Sequence, residues 1–232
     1  MSKLAVIIPA AGSGSRMGAR VPKPFLKLRG VSILEHTIRA FARVDEVDQI
    51  IVSTSSEWII EVKTILENFK GEVKSLDVVV GGKERQDSIY NAFSKISVEI
   101  DLIAVHDAVR PFICKELIKE CCETASAVGG AIVAVPAKDT IKKVNIDLVI
   151  NSTPDRSDLW QAQTPQIFQK NLLIEAYDSA IQEKFMGTDD ASLVERIGGV
   201  VKIIEGDRRN LKITYPIDLK VAELILDERG EE

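Results

Sequence analysis

The sequence predicts an α/β fold in which helices cover both faces of a mostly parallel sheet. Short apolar stretches alternate with amphipathic helical patterns along most of the chain, which is typical of right-handed βαβ units. The first stretch is apolar without interruption, as expected for a strand buried on both faces. The chain has 232 residues, 45% of them hydrophobic, which is sufficient for one domain, residues 1–232, with a sizeable core.

The individual elements can be placed in order. Leu4–Ile8 is expected to be the buried central strand, ending at Pro9. Ser32 is the expected N-cap of a helix that runs to Phe41, because Glu35 occupies the capping-box position. The rest of the pattern predicts strands at 47–53, 76–80, 101–105, 131–135 and 200–205, and helices at 57–69, 85–96, 115–128, 172–183, 190–197 and from 217. These elements predict a Rossmann-like sheet.

The segment at about residues 137–158 departs from this alternation. It is polar, contains scattered Val and Ile, and has no helical stripe, which favours a protruding β-arm. An extended hairpin buries little surface alone, so we expect the arm to pack on a second subunit of a homodimer.

Composition excludes several classes of function. The 30 basic and 35 acidic residues give a net charge of -5, without the basic surface that non-specific nucleic-acid binding requires. Three cysteines, two of them adjacent, and two histidines predict neither a disulfide framework nor a zinc site, so any metal should be a hard ion bound by oxygen. The apolar run after Lys3 is too short for a secretory signal, and no run approaches a membrane span, so we expect a cytoplasmic protein.

The first loop after a strand carries the most informative motif. Residues 9–18 read Pro-Ala-Ala-Gly-Ser-Gly-Ser-Arg-Met-Gly, and Pro22-Lys23 follow. Small residues allow backbone N–H groups to approach a polyphosphate, and Arg16 and Lys23 add positive charge. In parallel sheets, ligands bind at the carboxyl ends of the strands, where this loop lies. The loop therefore predicts triphosphate binding.

Three other interpretations of the loop agree less well with its residues. A dinucleotide fingerprint has a third glycine and a long helix, whereas this loop has Met17 and the interrupting Pro22. A Walker loop ends in Gly-Lys-Ser/Thr, which is missing. An ordinary strand-to-helix turn seldom contains so many small residues.

Two further loops lie at the same predicted edge, at 81–88 and 106–111. Asp107 follows an apolar strand and can bind Mg²⁺ or accept hydrogen bonds from an acceptor's hydroxyl groups, although a turn-forming role is the commoner one for such an Asp. Arg110, three residues later, can divide the recognition of an acceptor with Asp107, because its guanidinium can bind a phosphate group. Arg85 and Ser88, taken alone, read as the first turn of a helix, and His106 reads as structural.

Six segments together resemble a known family. The first loop resembles the sugar-nucleotide pyrophosphorylase superfamily, and further segments resemble its 2-C-methyl-D-erythritol 4-phosphate cytidylyltransferase family. They are Gly-Gly-Lys-Glu-Arg-Gln-Asp-Ser (81–88), His-Asp-Ala-Val-Arg-Pro-Phe (106–112), Asp-Arg-Ser-Asp-Leu-Trp-Gln-Ala-Gln-Thr-Pro-Gln (155–166), Thr-Asp-Asp-Ala-Ser (188–192) and Asn-Leu-Lys-Ile-Thr (210–214). They occur in order along nearly the whole chain.

The resemblance implies transfer of CMP from CTP to 2-C-methyl-D-erythritol 4-phosphate in non-mevalonate isoprenoid biosynthesis, giving 4-diphosphocytidyl-2-C-methyl-D-erythritol and pyrophosphate. Its implied cofactor is Mg²⁺ or another divalent cation, held mainly by the CTP phosphates, with Asp107 as the candidate protein ligand. The implied site consists of catalytic Arg16, Lys23, Arg156 and Lys212; nucleotide-binding Ala10, Ala11, Gly12, Ser13, Gly14, Gly82, Arg85 and Ser88; and acceptor-binding Asp107, Arg110, Thr140, Thr164 and Thr188. Thr140 and Arg156 are expected to reach the acceptor bound by the neighbouring subunit.

Alternatives remain open at this point. A ribitol 5-phosphate cytidylyltransferase would share the fold, and Lys83 and Pro154 do not match the family pattern firmly. An NAD-dependent oxidoreductase is disfavoured by the first loop, and a non-catalytic nucleotide-binding module is a third possibility.

Overall fold

The computed structural model describes residues 2–12 and 21–230, and a seven-stranded sheet forms its centre. The chain forms strands β1 Leu4–Pro9, β2 Lys27–Leu28, β3 Val31–Ser32, β4 Val47–Thr54, β5 Ser75–Val80, β6 Leu102–Val105, β7 Gly130–Pro136, β8 Lys143–Val144, β9 Ile150–Ser152, β10 Trp160–Gln169 and β11 Val201–Glu205. The central sheet has the order β11-β7-β10-β6-β1-β4-β5, and every pair in it is parallel except those of β10. The predicted mostly parallel α/β fold is confirmed.

Helices cover both faces of this sheet. They are α1 Ile33–Ala42, α2 Ile59–Glu67, α3 Arg85–Phe93, α4 Lys115–Val128, α5 Lys170–Gln182, α6 Asp190–Arg196 and α7 Pro216–Arg229. In β1, Leu4, Val6 and Ile8 pack with α1, α2 and α4, whereas Ala5 and Ile7 pack with α3, α5 and α6. All five side chains are fully buried, which explains why this strand is apolar at every position.

The α1 N-terminus agrees with its sequence signal. The Ser32 hydroxyl accepts a hydrogen bond from the Glu35 backbone N–H at 3.2 Å, so Ser32 is the N-cap as predicted. The Glu35 carboxylate pairs with Arg39 one turn later. Ser32 therefore caps the helix while the acidic side chain stabilises the following turn.

Strand β10 is the strand of the central sheet that the sequence pattern does not predict. It runs antiparallel between β6 and β7, and its pairing with β7 is irregular between Ala162 and Gln166. Its residues, Trp-Gln-Ala-Gln-Thr-Pro-Gln-Ile-Phe-Gln, alternate between apolar and polar only over the first four, and Pro165 removes a backbone donor in its middle. The predicted helices 57–69 and 85–96 are also shorter in the structure, since α2 follows a 3-10 turn at Ser56–Trp58 and α3 ends at Phe93.

The predicted β-arm is present as a short hairpin of β8 and β9, which pair antiparallel outside the central sheet. Ile146, Leu148, Val149 and Ile150 expose 58–95% of their surface there. An exposed apolar cluster of this kind is unusual on a hairpin that faces only solvent. The packing of the arm on a second subunit stays a prediction.

The segment before α7 lies against the edge of the sheet where β1, β5 and β6 end. Ile213 is fully buried in a small cluster with Leu28, Phe112 and Leu226, and its backbone N–H donates to the Val109 carbonyl at 2.9 Å. This anchoring places the preceding residue, Lys212, beside the loop that follows β6. No described helix is long and apolar enough to cross a membrane.

Candidate active site

Two adjoining pockets lie at the carboxyl ends of β1, β5 and β6. The first encloses about 520 Å³ and is lined by Pro9, Ala11, Gly12, Gly82, Lys83, Glu84, Arg85, Ser88, Asp107 and Lys212. The second encloses about 340 Å³ and is lined by Arg85, Asp107, Arg110, Ala162, Gln163, Thr164, Gln166, Thr188, Asp189 and Lys212. Three charged residues, Arg85, Asp107 and Lys212, line both pockets, so the pockets meet at these side chains.

The turn between β5 and α3 forms one wall of the first pocket. The Gly82 backbone N–H donates to the Ser88 hydroxyl at 3.0 Å, and that hydroxyl donates to the Glu84 carbonyl at 3.0 Å. A Cβ atom on Gly82 would lie 2.2 Å from the Asp87 Cβ. Only glycine therefore fits at position 82 while the turn keeps this shape, and Ser88 holds the turn closed.

Asp107 is the electrostatic centre of both pockets. One carboxylate oxygen, Oδ2, lies 3.0 Å from Lys212 Nζ and 3.1 Å from Arg110 Nε, and Oδ1 lies 3.8 Å from Arg85 Nε. Burial tends to raise the pKa of the Asp107 carboxyl, but the positive charges of Lys212, Arg85 and Arg110 together hold it well below its ordinary value. Asp107 is therefore ionised and brings three cations from separate parts of the chain to one point.

Asn210 ties the loops around Asp107 together. Its side-chain NH₂ group donates to Gln163 Oε1 at 3.0 Å and to the Thr164 backbone carbonyl at 2.9 Å. The backbone carbonyl of Asn210 accepts a hydrogen bond from Arg110 at 2.8 Å. The Thr164 hydroxyl in turn accepts from the Asp107 backbone N–H at 3.0 Å. Because Asn210 is buried, these bonds hold the loop after β6, the irregular part of β10 and the segment of Lys212 in one arrangement.

His106 supports the same loop from within the core. Its Nε2 lies 2.9 Å from the Arg110 carbonyl, and since a carbonyl only accepts, Nε2 carries the proton. Burial lowers the pKa of the imidazole to about 4, so the ring is neutral. The interpretation of His106 as a structural residue agrees with this geometry.

Most of the predicted site residues that the structure describes come together. Ala11, Gly12, Gly82, Arg85 and Ser88 line the first pocket, and Arg110, Thr164 and Thr188 line the second. Ala10 lies just behind the first pocket, buried, with its N–H donating to the Ser53 carbonyl. Ser13, Gly14 and Arg16 fall outside the described residues.

Besides Ala10, three of the predicted residues that the structure describes line neither pocket. Lys23 is buried in a short 3-10 helix, and its Nζ donates to the Thr214 carbonyl at 2.8 Å, two residues beyond Lys212. Thr140 is exposed, and Arg156 donates to the Lys138 carbonyl at 2.9 Å near the base of the arm. The convergence of Arg16 and Lys23 on one anion stays a prediction, as does the reach of Thr140 and Arg156 to a neighbouring subunit.

Several residues around the pockets were not singled out from the sequence. Glu84, Gln163, Gln166, Asp189, Asp190 and Asn210 all lie within the quoted segments. Their roles depend on partners far away in the chain, as with Gln166, whose amide group joins Asp189 and the Ala191 backbone N–H. The motifs located these residues, but no local pattern distinguishes them from solvated polar residues.

Comparison with known proteins identifies the family. The IspD family, described as 2-C-methyl-D-erythritol 4-phosphate cytidylyltransferase, has a sequence model that matches residues 4–228. The chain belongs to the IspD family. A 2-C-methyl-D-erythritol 4-phosphate cytidylyltransferase of Geotalea uraniireducens (strain Rf4) is 46% identical over 233 residues, covering 99% of each chain. Its counterpart in Symbiobacterium thermophilum is 43% identical, covering 99% of this chain and 95% of the relative.

Solved IspD structures agree with this assignment. The 4-diphosphocytidyl-2C-methyl-D-erythritol synthase of Anaerococcus prevotii superposes with a TM-score of 0.87 at 31% identity, covering 97% of this chain and 96% of that one. The chain is therefore a nucleotidyltransferase that acts as a 2-C-methyl-D-erythritol 4-phosphate cytidylyltransferase. These relatives give no support to the ribitol 5-phosphate, oxidoreductase or non-catalytic alternatives.

Proposed function

We propose that CTP occupies the first pocket, that 2-C-methyl-D-erythritol 4-phosphate occupies the second, and that CMP transfer takes place where they meet. The observation that carries this proposal is the sharing of Arg85, Asp107 and Lys212 by the two pockets. A phosphate held in one pocket and the α-phosphate of a nucleotide in the other would approach each other at these side chains. Gly82 and Gly12 leave the first pocket open to close approach by a polyphosphate.

In this arrangement the acceptor phosphate attacks the α-phosphorus of CTP in line, and pyrophosphate leaves with the electrons of the broken P–O bond. A phosphate monoester dianion is already a nucleophile, so positioning and charge neutralisation can supply the catalysis. Lys212, held by Asp107 and 45% exposed at its side chain, supplies positive charge at the junction. Lys23 and Arg16 are proposed to stabilise the leaving pyrophosphate.

A divalent cation, Mg²⁺ or another, is proposed as cofactor and would neutralise charge on the triphosphate. The described residues contain no group of three His, Cys, Asp or Glu side chains arranged to hold a metal ion. The Asp107 carboxylate can offer Oδ1 to a metal ion, because Oδ2 is already paired with Arg110 and Lys212. The protein side of the site therefore fits an ion that the nucleotide carries in, with Asp107 as a single protein ligand.

The arm is proposed to complete the acceptor site of a second subunit in a homodimer. Its exposed apolar residues give it a surface that a partner could cover, and Thr140 and Arg156 near its base line neither of the two pockets described above. A cytoplasmic location stays a prediction, supported by three cysteines that form no disulfide.

Substrate choice is tested by pyrophosphate release. The purified enzyme is assayed with CTP, Mg²⁺ and either 2-C-methyl-D-erythritol 4-phosphate or ribitol 5-phosphate.

Lys212→Met should lower kcat by about 100-fold or more, as expected for loss of a group that stabilises developing charge. Lys202→Met, which changes an exposed lysine on β11, is the matched control and should keep normal activity. Equal activity of the Lys212→Met and Lys202→Met enzymes would contradict the proposed junction.

The shared site is tested by mixing inactive subunits. Arg156→Ala and Lys212→Ala chains are each expected to be inactive as homodimers. In a mixed dimer, one site combines an intact Lys212 with an intact Arg156 from the other chain, while the second site lacks both. Random exchange should restore about a quarter of normal activity, because half the dimers are mixed and half their sites are intact. No recovery after confirmed subunit exchange would place Arg156 in its own chain's site.

A further inference from the structure

Arg85 is held at the junction of the two pockets by residues that line neither. Its Nη2 donates to Asp190 Oδ2 at 2.8 Å, and the Tyr177 hydroxyl donates to the other oxygen, Oδ1, at 2.5 Å. Asp190 and Tyr177 are each about 1% exposed, whereas the Arg85 side chain is 36% exposed on the pocket side. A buried hydroxyl and carboxylate thus form a chain that ends on a guanidinium facing both pockets.

The arrangement uses both oxygens of the Asp190 carboxylate and leaves part of the guanidinium available. Burial tends to lower the pKa of Arg85, but Asp190 and, less strongly, Asp107 raise it above its ordinary value. Burial and the nearby Asp190 raise the pKa of Tyr177, so its hydroxyl keeps the proton that it donates. A buried carboxylate is costly unless it is fully hydrogen-bonded, and here both its partners are supplied by the protein.

Asp190 also fixes the loop that borders the second pocket. It is the first residue of α6, directly after Thr188 and Asp189, and the Gln166 amide group bonds to Asp189 and to the Ala191 backbone N–H. The neighbour of Arg85 on α3, Gln86, bonds to the same loop through its side chain, at Phe185 and Gly187. Helix α3, which forms the wall of the first pocket, is therefore joined to the loop of the second pocket through Arg85 and Asp190.

We propose that Asp190 and Tyr177 are positioning residues for the transfer reaction, which keep the Arg85 guanidinium between the nucleotide and the acceptor phosphate. The proposal rests on the assignment of the two pockets given above. Without the negative charge of Asp190, the nearest carboxylate to Arg85 is Asp107, whose Oδ1 is already 3.8 Å from its Nε. Arg85 would turn to Asp107, compete with Lys212 and Arg110 there, and leave the junction with fewer available positive groups.

The test is a double-mutant cycle on kcat/KM, with CTP and 2-C-methyl-D-erythritol 4-phosphate as substrates. Asp190→Asn should lower kcat/KM by roughly 10- to 100-fold, the range for loss of a charged hydrogen bond. Tyr177→Phe, which keeps the ring and removes only the hydroxyl, should lower it by roughly 3- to 10-fold. In an Arg85→Ala background, neither substitution should cause a further loss, because the residue through which they act is gone.

A nearby pair provides a matched control. The Tyr90 hydroxyl donates to Asp178 Oδ1 at 3.0 Å, between α3 and α5, but this pair is exposed, and Arg85 forms its ion pairs with Asp107 and Asp190 instead. Tyr90→Phe and Asp178→Asn should keep normal kcat/KM. A second measurement is chemical rescue. Free guanidinium should partly restore the kcat/KM of the Arg85→Ala enzyme, because Asp190 would hold the added cation. It should restore the kcat/KM of the Arg85→Ala/Asp190→Asn enzyme much less.

The outcomes separate the two proposals. If Asp190→Asn and Tyr177→Phe lower kcat/KM as much in the Arg85→Ala background as in the native one, their role is structural and the positioning proposal is overturned. Normal activity of both single variants overturns it as well. If Arg85→Ala itself keeps normal kcat/KM, the pocket assignment fails and positioning fails with it. If the Asp190→Asn enzyme does not fold, the double-mutant cycle of Tyr177→Phe with Arg85→Ala decides whether the positioning proposal holds.

Discussion

His106 should make the stability of the fold depend on pH in a window where few other groups titrate. Its imidazole is fully buried, donates from Nε2 to the Arg110 carbonyl, and has a pKa lowered to about 4 from 6.5 by burial. The unfolded chain therefore takes up a proton on this residue before the folded chain does. The free energy of unfolding should fall as pH decreases from 6.5 towards 4 and should be constant, as far as His106 is concerned, above that window.

The size of the effect follows from the two pKa values. Each unit of difference corresponds to about 1.4 kcal/mol once the window has been crossed. Between about pH 7.5 and pH 5, where the folded imidazole stays neutral and the unfolded one becomes protonated, the loss is about 2 kcal/mol. The pKa of Asp107 is lowered, so its contribution is lost only at pH values below this range.

Urea unfolding at about pH 7.5 and pH 5 measures the difference. His106→Gln keeps an amide donor for the Arg110 carbonyl and removes the titration, so its free energy of unfolding should lose most of this dependence. The chain has one other histidine, His36, which is partly exposed and bonds to the Leu28 carbonyl. A pH dependence that survives in His106→Gln and disappears in His36→Gln would refute the reasoning.

Other substitutions and one labelling experiment test further parts of the site. Gly82→Ala should cost about 1–3 kcal/mol of stability and raise the KM for CTP, because a Cβ atom there overlaps the first turn of α3; denaturation and steady-state kinetics measure these effects. Asp107→Asn should cost about 3 kcal/mol in urea unfolding, since it leaves three cations without their shared carboxylate, and a loss below about 1 kcal/mol would contradict that. A thiol reagent should modify the partly exposed Cys114 quickly but Cys121 and Cys122 only after unfolding, because both are buried and burial raises the pKa of Cys122 to about 12. Fast modification of all three thiols in the native protein would show that α4 does not pack as described.

The predicted strands and helices are present in the structure close to their predicted positions, although α2 and α3 are shorter than expected. The continuous apolar run of β1 and the cap at Ser32 are local signals, because burial on both faces and a helix N-terminus each require particular residues at fixed spacing. β10 escaped detection because its buried residues include Gln163, Thr164 and Gln166, whose side-chain oxygens accept hydrogen bonds from distant parts of the chain. The donors are the side-chain amide of Asn210 and the backbone N–H groups of Asp107 and Ala191, respectively.

Motifs in the loops after the strands were sufficient to indicate the family and the edge of the sheet at which the two pockets lie. They could not indicate which charged groups meet. Arg85 and Asp190 stand 105 positions apart, and Lys212 reaches Asp107 only because Ile213 is buried beside the loop after β6. Periodicity and turn residues report on the immediate surroundings of a chain segment, whereas the partner of a charged side chain depends on which distant segments the packed core brings alongside it.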